Sequence, residues 1–318
     1  MPSLKVELGK ALVELGREND DVVVISGDLG KSTGASAFEV FPERYFNLGI
    51  SEQDMIGTAA GLASAGKIPI VITYAIFLVG RAWEQIRNSV ARDQLNVKML
   101  GTHGGISPYS DGASHQCFED VAIMRCISGV TVVLPADVSE LRHAARAAIE
   151  TPGPFYIRLP RGEMPRIFDD DSEFQIGKAR RVTDGQDVGI VAAGFLVHEA
   201  IKAEALLKKE GIRATVLDMH TIKPPDTEAI VDVARRTGAI VTVEDHNIIG
   251  GLGSTVTEIL CRNHPIPVEM IGLHDRFGES GELSQLIEKY RLRALDIANA
   301  AKRAIKLKDH NDGRGPGS

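Results

Sequence analysis

Short, unbroken apolar runs recur along this chain, and stretches of helical period lie between them. In the first half the runs fall at 22–25, 68–73, 97–101, 130–134 and 155–159. A continuous apolar run of this length suits a strand buried on both faces. Leu4, Leu8, Ala11, Leu12 and Leu15 recur at helical spacing, and helical stretches cover 81–93 and 138–149. Strands that alternate with helices need crossover connections, and right-handed crossovers build a parallel sheet. The expected class is α/β, with mostly parallel sheets flanked by helices.

The alternation breaks from 162 to 177, where GEMPRIFDDDSEFQIG is polar, holds Pro165 and carries three consecutive aspartates. This segment reads as an interdomain connection. A second series follows, with strands expected at 188–193, 214–217, 239–243 and 268–271 and helices at 200–209, 229–236 and 283–305. The 318 residues suit two domains of about 150 each. The expected limits are 1–166, a linker at 167–182, a second domain at 183–309, and a disordered tail at 310–318.

Charge and cysteine usage exclude several classes. With 36 basic and 43 acidic residues the net charge is −7, which argues against a nucleic-acid or acidic-membrane partner. No stretch approaches the roughly 20 apolar residues that span a bilayer. The segment MPSLKVELGK lacks the basic and apolar blocks of a signal peptide. Cys117, Cys126 and Cys261 are too few and too irregularly spaced for a disulfide framework or a zinc site. A cytoplasmic, reducing location is expected. Cys117 and Cys126 read as ordinary, partly buried thiols.

In an open parallel sheet, ligands sit beyond the carboxyl ends of the strands. Asp28 follows the first run, Tyr74 and Phe77 the second, His103 the third and Arg161 the fifth. Four strand ends of one half-chain therefore carry groups that could converge, although any one of them alone reads better as loop polarity. SGDLGKSTG is rich in glycine but lacks the spacing of a nucleotide P-loop or a dinucleotide turn, so a tight turn is the simpler reading. In NLGISEQDMIG, Ser51 and Asp54 have the spacing of a capping box, which puts Glu52 in the first helical turn. Glu52 either favours the helix dipole or aims a carboxyl at a ligand, and the period does not separate the two. THGGISPYSDGASHQ places His103 and His115 around a flexible loop, in a pattern unlike the i, i+4 pair of a helical zinc site.

Taken in order, these motifs resemble the carboxyl-terminal half of a transketolase. G-I-S-E-Q-D-M, T-Y-A-I-F, T-H, D-G-A-S-H-Q and a closing L-P-R carry the likeness from about Lys5 to Arg161, and EDHNIIGGLGS resembles a signature of the family's last domain. The resemblance implies a pyrimidine-binding domain for thiamine diphosphate followed by a transketolase C-terminal domain. It assigns Glu52 to a ring nitrogen of the aminopyrimidine. A carboxyl donating there favours the imino form of the exocyclic amine, which can then take the thiazolium proton. Such a carboxyl must carry a proton against the pull of the helix dipole.

By the same likeness Tyr74 and Phe77 stack on the pyrimidine, and Asp28 lies near the cofactor and a subunit contact. His103 and Asp111 match hydrogen-bonding partners of sugar hydroxyls or the far phosphate. His115 matches a donor beside the reacting carbonyl, and Lys5, Ser32 and Arg161 match phosphate-end ligands. Glu52, His115 and His103 are thus the expected catalytic set. Glu244, Asp245 and His246 read as turn and interface residues.

The departures are specific. Gly80 stands where many members carry a third aromatic, a gap for which Trp83 is a candidate. Lys5 replaces an arginine and loses the bidentate fork. S-P-Y-S precedes Asp111 where V-G-E is common, so Pro108 and Tyr109 should stiffen and narrow the pocket. The G-D-G motif that binds magnesium and diphosphate is absent, and no metal site is expected on this chain. The resemblance therefore implies the C-terminal subunit of a split transketolase. An N-terminal subunit carrying G-D-G would complete the site in an α2β2 assembly acting on sugar phosphates. The alternatives are the beta subunit of a 2-oxoacid dehydrogenase, a deoxyxylulose-phosphate-synthase-like chain, or a scaffold that kept the fold.

Overall fold

A computed structural model describes residues 2–311. The first half contains α1 (Leu4–Glu18), β1 (Val22–Ser26), α2 (Gly30–Thr33), β2 (Tyr45–Asn47), α3 (Glu52–Ser64), β3 (Ile68–Tyr74), α4 (Ala75–Gln85), β4 (Lys98–Thr102), α5 (Asp120–Arg125), β5 (Thr131–Val133), α6 (Val138–Glu150) and β6 (Phe155–Arg158). The second contains β7 (Arg180–Arg181), β8 (Val188–Ala192), α7 (Val197–Lys209), β9 (Ala214–Asp218), β10 (Thr221–Lys223), α8 (Thr227–Thr237), β11 (Ile240–Asn247), α9 (Leu252–Asn263), β12 (Val268–Leu273), α10 (Leu283–Lys289) and α11 (Ala294–Asn311). The expected α/β architecture is present, with mostly parallel sheets flanked by helices.

Both sheets follow from the apolar runs. The first has the order β10-β5-β6-β4-β3-β1-β2, and its six strands from the first half are parallel. The second has the order β12-β11-β8-β9-β7, with β7 antiparallel at the edge. Strands β1, β4, β8 and β9 are buried along their whole length, as continuous apolar runs require. The predicted apolar stripe of α1 is buried throughout. Asp137 caps α6 by accepting from the Glu140 amide at 2.9 Å.

Several features depart from expectation. β10 comes from the second half of the chain yet pairs antiparallel with β5, so it extends the first sheet. β7 falls within the span expected as linker. The helix expected at 283–305 is two helices, α10 and α11, separated by Arg291 in left-handed backbone with φ 57°. A helix cannot continue through that conformation. Ser51 does not form the predicted cap: its hydroxyl donates to the Leu48 carbonyl at 2.9 Å. Of the expected tail, His310 and Asn311 end α11, and residues 312–318 lie outside the described residues.

Buried charge joins the two halves. The Arg158 Nε lies 2.9 Å from Asp120, and Tyr156 donates to the same carboxylate at 2.6 Å. Asp245 accepts from the Ile106 amide at 3.0 Å, with Arg158 3.7 Å away. Glu244, Asp245 and His246 are therefore buried strand residues of β11 rather than turn residues. Burial pushes both Glu244 and Asp245 up to about 7.

Candidate active site

The order β6-β4-β3-β1 makes four parallel strands neighbours, so their carboxyl ends lie side by side. At about 4.8 Å per strand, the row of ends spans roughly 15 Å, the width of a small ligand. Tyr74 ends β3, His103 follows β4 and Arg161 follows β6. A cavity of about 230 Å³ opens there, and Lys5, Ser32, Tyr74, His103 and Arg161 are among its lining residues. Thr33 and Thr102 line it as well and had no mark in the sequence beyond their proximity to Ser32 and His103.

His103 is buried, with its ring stacked on Tyr74 at 3.7 Å between centroids. Burial, then Arg161 and His115, push its imidazole down to about 3. The Thr102 hydroxyl lies 3.1 Å from its Nδ1. His115 meets Phe77 edge-on at 5.2 Å and Tyr74 at 6.3 Å, and Ser114 lies 2.9 Å from its Nδ1. Asp111 does not line the cavity directly but accepts from Arg161 Nη1 at 3.0 Å. Arg161 also lies over the Tyr109 ring at 4.9 Å. Pro108 and Tyr109 are not among the residues that line this cavity, and Tyr109 meets it only through its contact with Arg161.

Glu52 occupies a second cleft of about 560 Å³, beside Ile50, Ser51, Gln53, Asp54 and Arg81. Its side chain is 2% exposed. One carboxyl oxygen, Oε2, accepts from Arg81 at 2.9 Å, and the other, Oε1, is buried with no hydrogen-bond partner among the described residues. Arg81 lies over the Phe77 ring, and Phe77 stacks on Tyr74 at 5.9 Å. A chain of contacts thus runs from Glu52 through Arg81, Phe77 and Tyr74 to His103.

A buried, unpaired carboxyl oxygen near an aromatic face fits an aminopyrimidine, which offers a polar edge and a flat surface. The Arg81 contact at Oε2 is a partner for Glu52 that the sequence reading did not anticipate. Asp28 stands apart from both clefts: it is exposed, with φ 60°, and its amide donates to Asn47 Oδ1 at 2.9 Å. Trp83 does not fill the gap at Gly80, since its Nε1 donates to the Ile123 carbonyl at 3.0 Å. Cys126 is exposed rather than partly buried, and Cys117 is fully buried.

Comparison with known proteins agrees along the chain. The family profile for the transketolase pyrimidine binding domain matches residues 2–166, and that for the transketolase C-terminal domain matches 177–297. A putative transketolase C-terminal section from Methanocaldococcus jannaschii is 44% identical over 302 residues, covering 94% of this chain and 95% of the relative. A 6-deoxy-6-sulfo-D-fructose transketolase subunit from Clostridium sp. strain MSTE9 is 42% identical, covering 94% and 93%. A solved structure described as a split gene transketolase, inactive beta4 tetramer, superposes with a TM-score of 0.91 at 47% identity, covering 97% of this chain and 100% of that one. The transketolase family is one of thiamine-diphosphate-dependent transferases, and this chain, with a pyrimidine-binding and a C-terminal domain, belongs to it.

Proposed function

We propose that this chain is the C-terminal subunit of a split transketolase, which moves a two-carbon ketol unit from a ketose phosphate to an aldose phosphate. The observation that carries the reading is the buried Oε1 of Glu52, which has no hydrogen-bond partner among the described residues. An orphaned carboxyl oxygen costs free energy unless something meets it. The polar edge of an aminopyrimidine would meet it here. Thiamine diphosphate, when bound, supplies the acidic thiazolium carbon that carries the ketol unit.

This chain's residues would bind and orient the cofactor and substrate and hold protons beside them. Glu52 would hold a ring nitrogen of the pyrimidine through its buried Oε1 and so favour one tautomer. Tyr74 and Phe77 hold the ring flat, a stacking contact worth about 0.5–1.5 kcal/mol beyond burial. His103, kept neutral by burial, can donate from one ring nitrogen and accept at the other. His115 stands at the edge of the same aromatic wall and would donate to a developing oxyanion. Lys5, Ser32 and Arg161 grip the phosphate end, and Asp111 orients Arg161. An N-terminal subunit carrying G-D-G would bring magnesium and the diphosphate, in an α2β2 assembly.

Co-expression with such a chain tests the proposal. Ketol transfer should require both chains, thiamine diphosphate and magnesium, and Glu52→Gln should abolish it. Transfer by this chain alone, or full turnover by the Glu52→Gln complex, would contradict the reading. The second outcome would favour a scaffold.

A further inference from the structure

Arg81 stands at both points that the aminopyrimidine would need. Its Nη1 donates to Glu52 Oε2 at 2.9 Å, and its guanidinium carbon lies 4.2 Å from the centre of the Phe77 ring. A planar guanidinium stacks on an aromatic face much as a heterocycle does. Gly80, before it, carries no side chain, and a Cβ built there would make an ordinary contact with Ile76 Cδ1 at 3.7 Å.

The backbone is shaped for this reach. Ala82 leaves helical geometry (φ −110°, ψ 16°), and a π-helical turn, Ile86–Ala91, follows α4. Such irregular turns recur where a helix presents a side chain at a site. Gln53 Nε2 donates to the Arg81 carbonyl at 3.0 Å, which anchors the main chain and not the guanidinium.

The two partners differ in exposure. Glu52 is buried and needs a counter-charge wherever it is ionised. The Arg81 side chain is 49% exposed, so it can swing into solvent without unpacking the core. We propose that Arg81 is a place-holder for the cofactor ring, and that it sets how tightly this subunit takes the cofactor. It neutralises Glu52 and covers Phe77 until the ring enters, then yields both contacts. This rests on the proposed function, since it needs a ring that seeks Glu52 and Phe77.

Calorimetric titration of the two-chain complex with thiamine diphosphate and magnesium tests it. Arg81→Met should tighten binding about tenfold if the Arg81-paired form holds about nine-tenths of the population. In the full chain without partner, Arg81→Met should lower Tm, and adding Glu52→Gln to it should restore Tm. Weaker binding by Arg81→Met would make Arg81 a holder of the cofactor and overturn the inference, as would an unchanged Kd or an unchanged Tm. A wild-type complex that fails to bind thiamine diphosphate would sink the functional reading and this inference together.

Discussion

The imidazole of His103 lies face to face with the ring of Tyr74, its plane inclined by 23° and its centroid 3.7 Å away. His103 holds φ 57°, the left-handed turn that brings the ring back over the strand ends. The stacked ring is buried and its pKa is pushed down to about 3.

That depression has a sign for stability. The folded pKa lies below the unfolded value of about 6.5, so the unfolded chain takes up the proton first as pH falls. Stability is therefore full above about pH 6.5 and is lost progressively toward pH 3. His220 and His246, each lowered to about 4 by burial, act in the same direction. His103→Gln should shrink the Tm difference between pH 7 and pH 4.5, measured by thermal unfolding. An unchanged difference would show that His103 is not buried neutral.

Asp245 has the opposite sign. Its pKa is raised to about 7, so its contribution is present below the unfolded value and lost as pH rises through 7. Facing it are Arg158, the Ile106 amide, Asp120 and Glu244. Asp245→Asn should flatten the fall in Tm between pH 6 and pH 8.5. A steeper fall in the variant would contradict the assignment.

Tyr156 is fully buried and donates to Asp120, whose Oδ1 already has no hydrogen-bond partner among the described residues. Tyr156→Phe should cost about 1–3 kcal/mol of unfolding free energy, the penalty of stripping a donor from a buried charged acceptor. Urea denaturation measures it. A loss within experimental scatter would show that solvent reaches Asp120.

The Asp111–Arg161 pair is about one-third exposed on each side. Exposed ion pairs contribute roughly 0–1 kcal/mol, so Asp111→Ala should leave Tm nearly unchanged. Its effect should appear instead as a raised KM for phosphorylated substrates, because Arg161 loses its orienting partner. A lowered Tm with unchanged KM would assign the pair to structure.

Lys5 offers a point charge at the cavity rather than a fork. Lys5→Arg should lower KM for sugar phosphates several-fold, and Lys5→Ala should raise it on the order of tenfold or more, the scale of one charged hydrogen bond. Unphosphorylated donors serve as the control. An equal change for both donor types would remove Lys5 from the phosphate end.

Much of this was legible in the residue pattern. The apolar runs of β1, β3, β4 and β6 announce buried parallel strands, because a strand covered on both faces has no polar side to show. Placing polar groups at their carboxyl ends then needs only the rule for open sheets. Ser51 misled, because a capping spacing states which atoms are near in sequence, and the Ser51 hydroxyl donates to the Leu48 carbonyl instead of capping α3. β10 escaped notice because a three-residue edge strand has too short a period to register. Arg81 escaped because Gly80 drew the comparison toward aromatics, while the group that lies over Phe77 is a guanidinium.

By itself the chain's residue pattern determined two mostly parallel sheets, the polar groups that follow their strands, and the family. Only the tertiary structure decided that β6, β4, β3 and β1 are consecutive neighbours, that β10 crosses to the first sheet, and that Arg81 reaches Glu52 across 29 positions. The physical reason is range. Periodicity reports how each segment is buried, a local property of its own side chains. Strand order and a charge pair between distant segments are set by packing free energies that belong to the assembled chain, and no local window contains them.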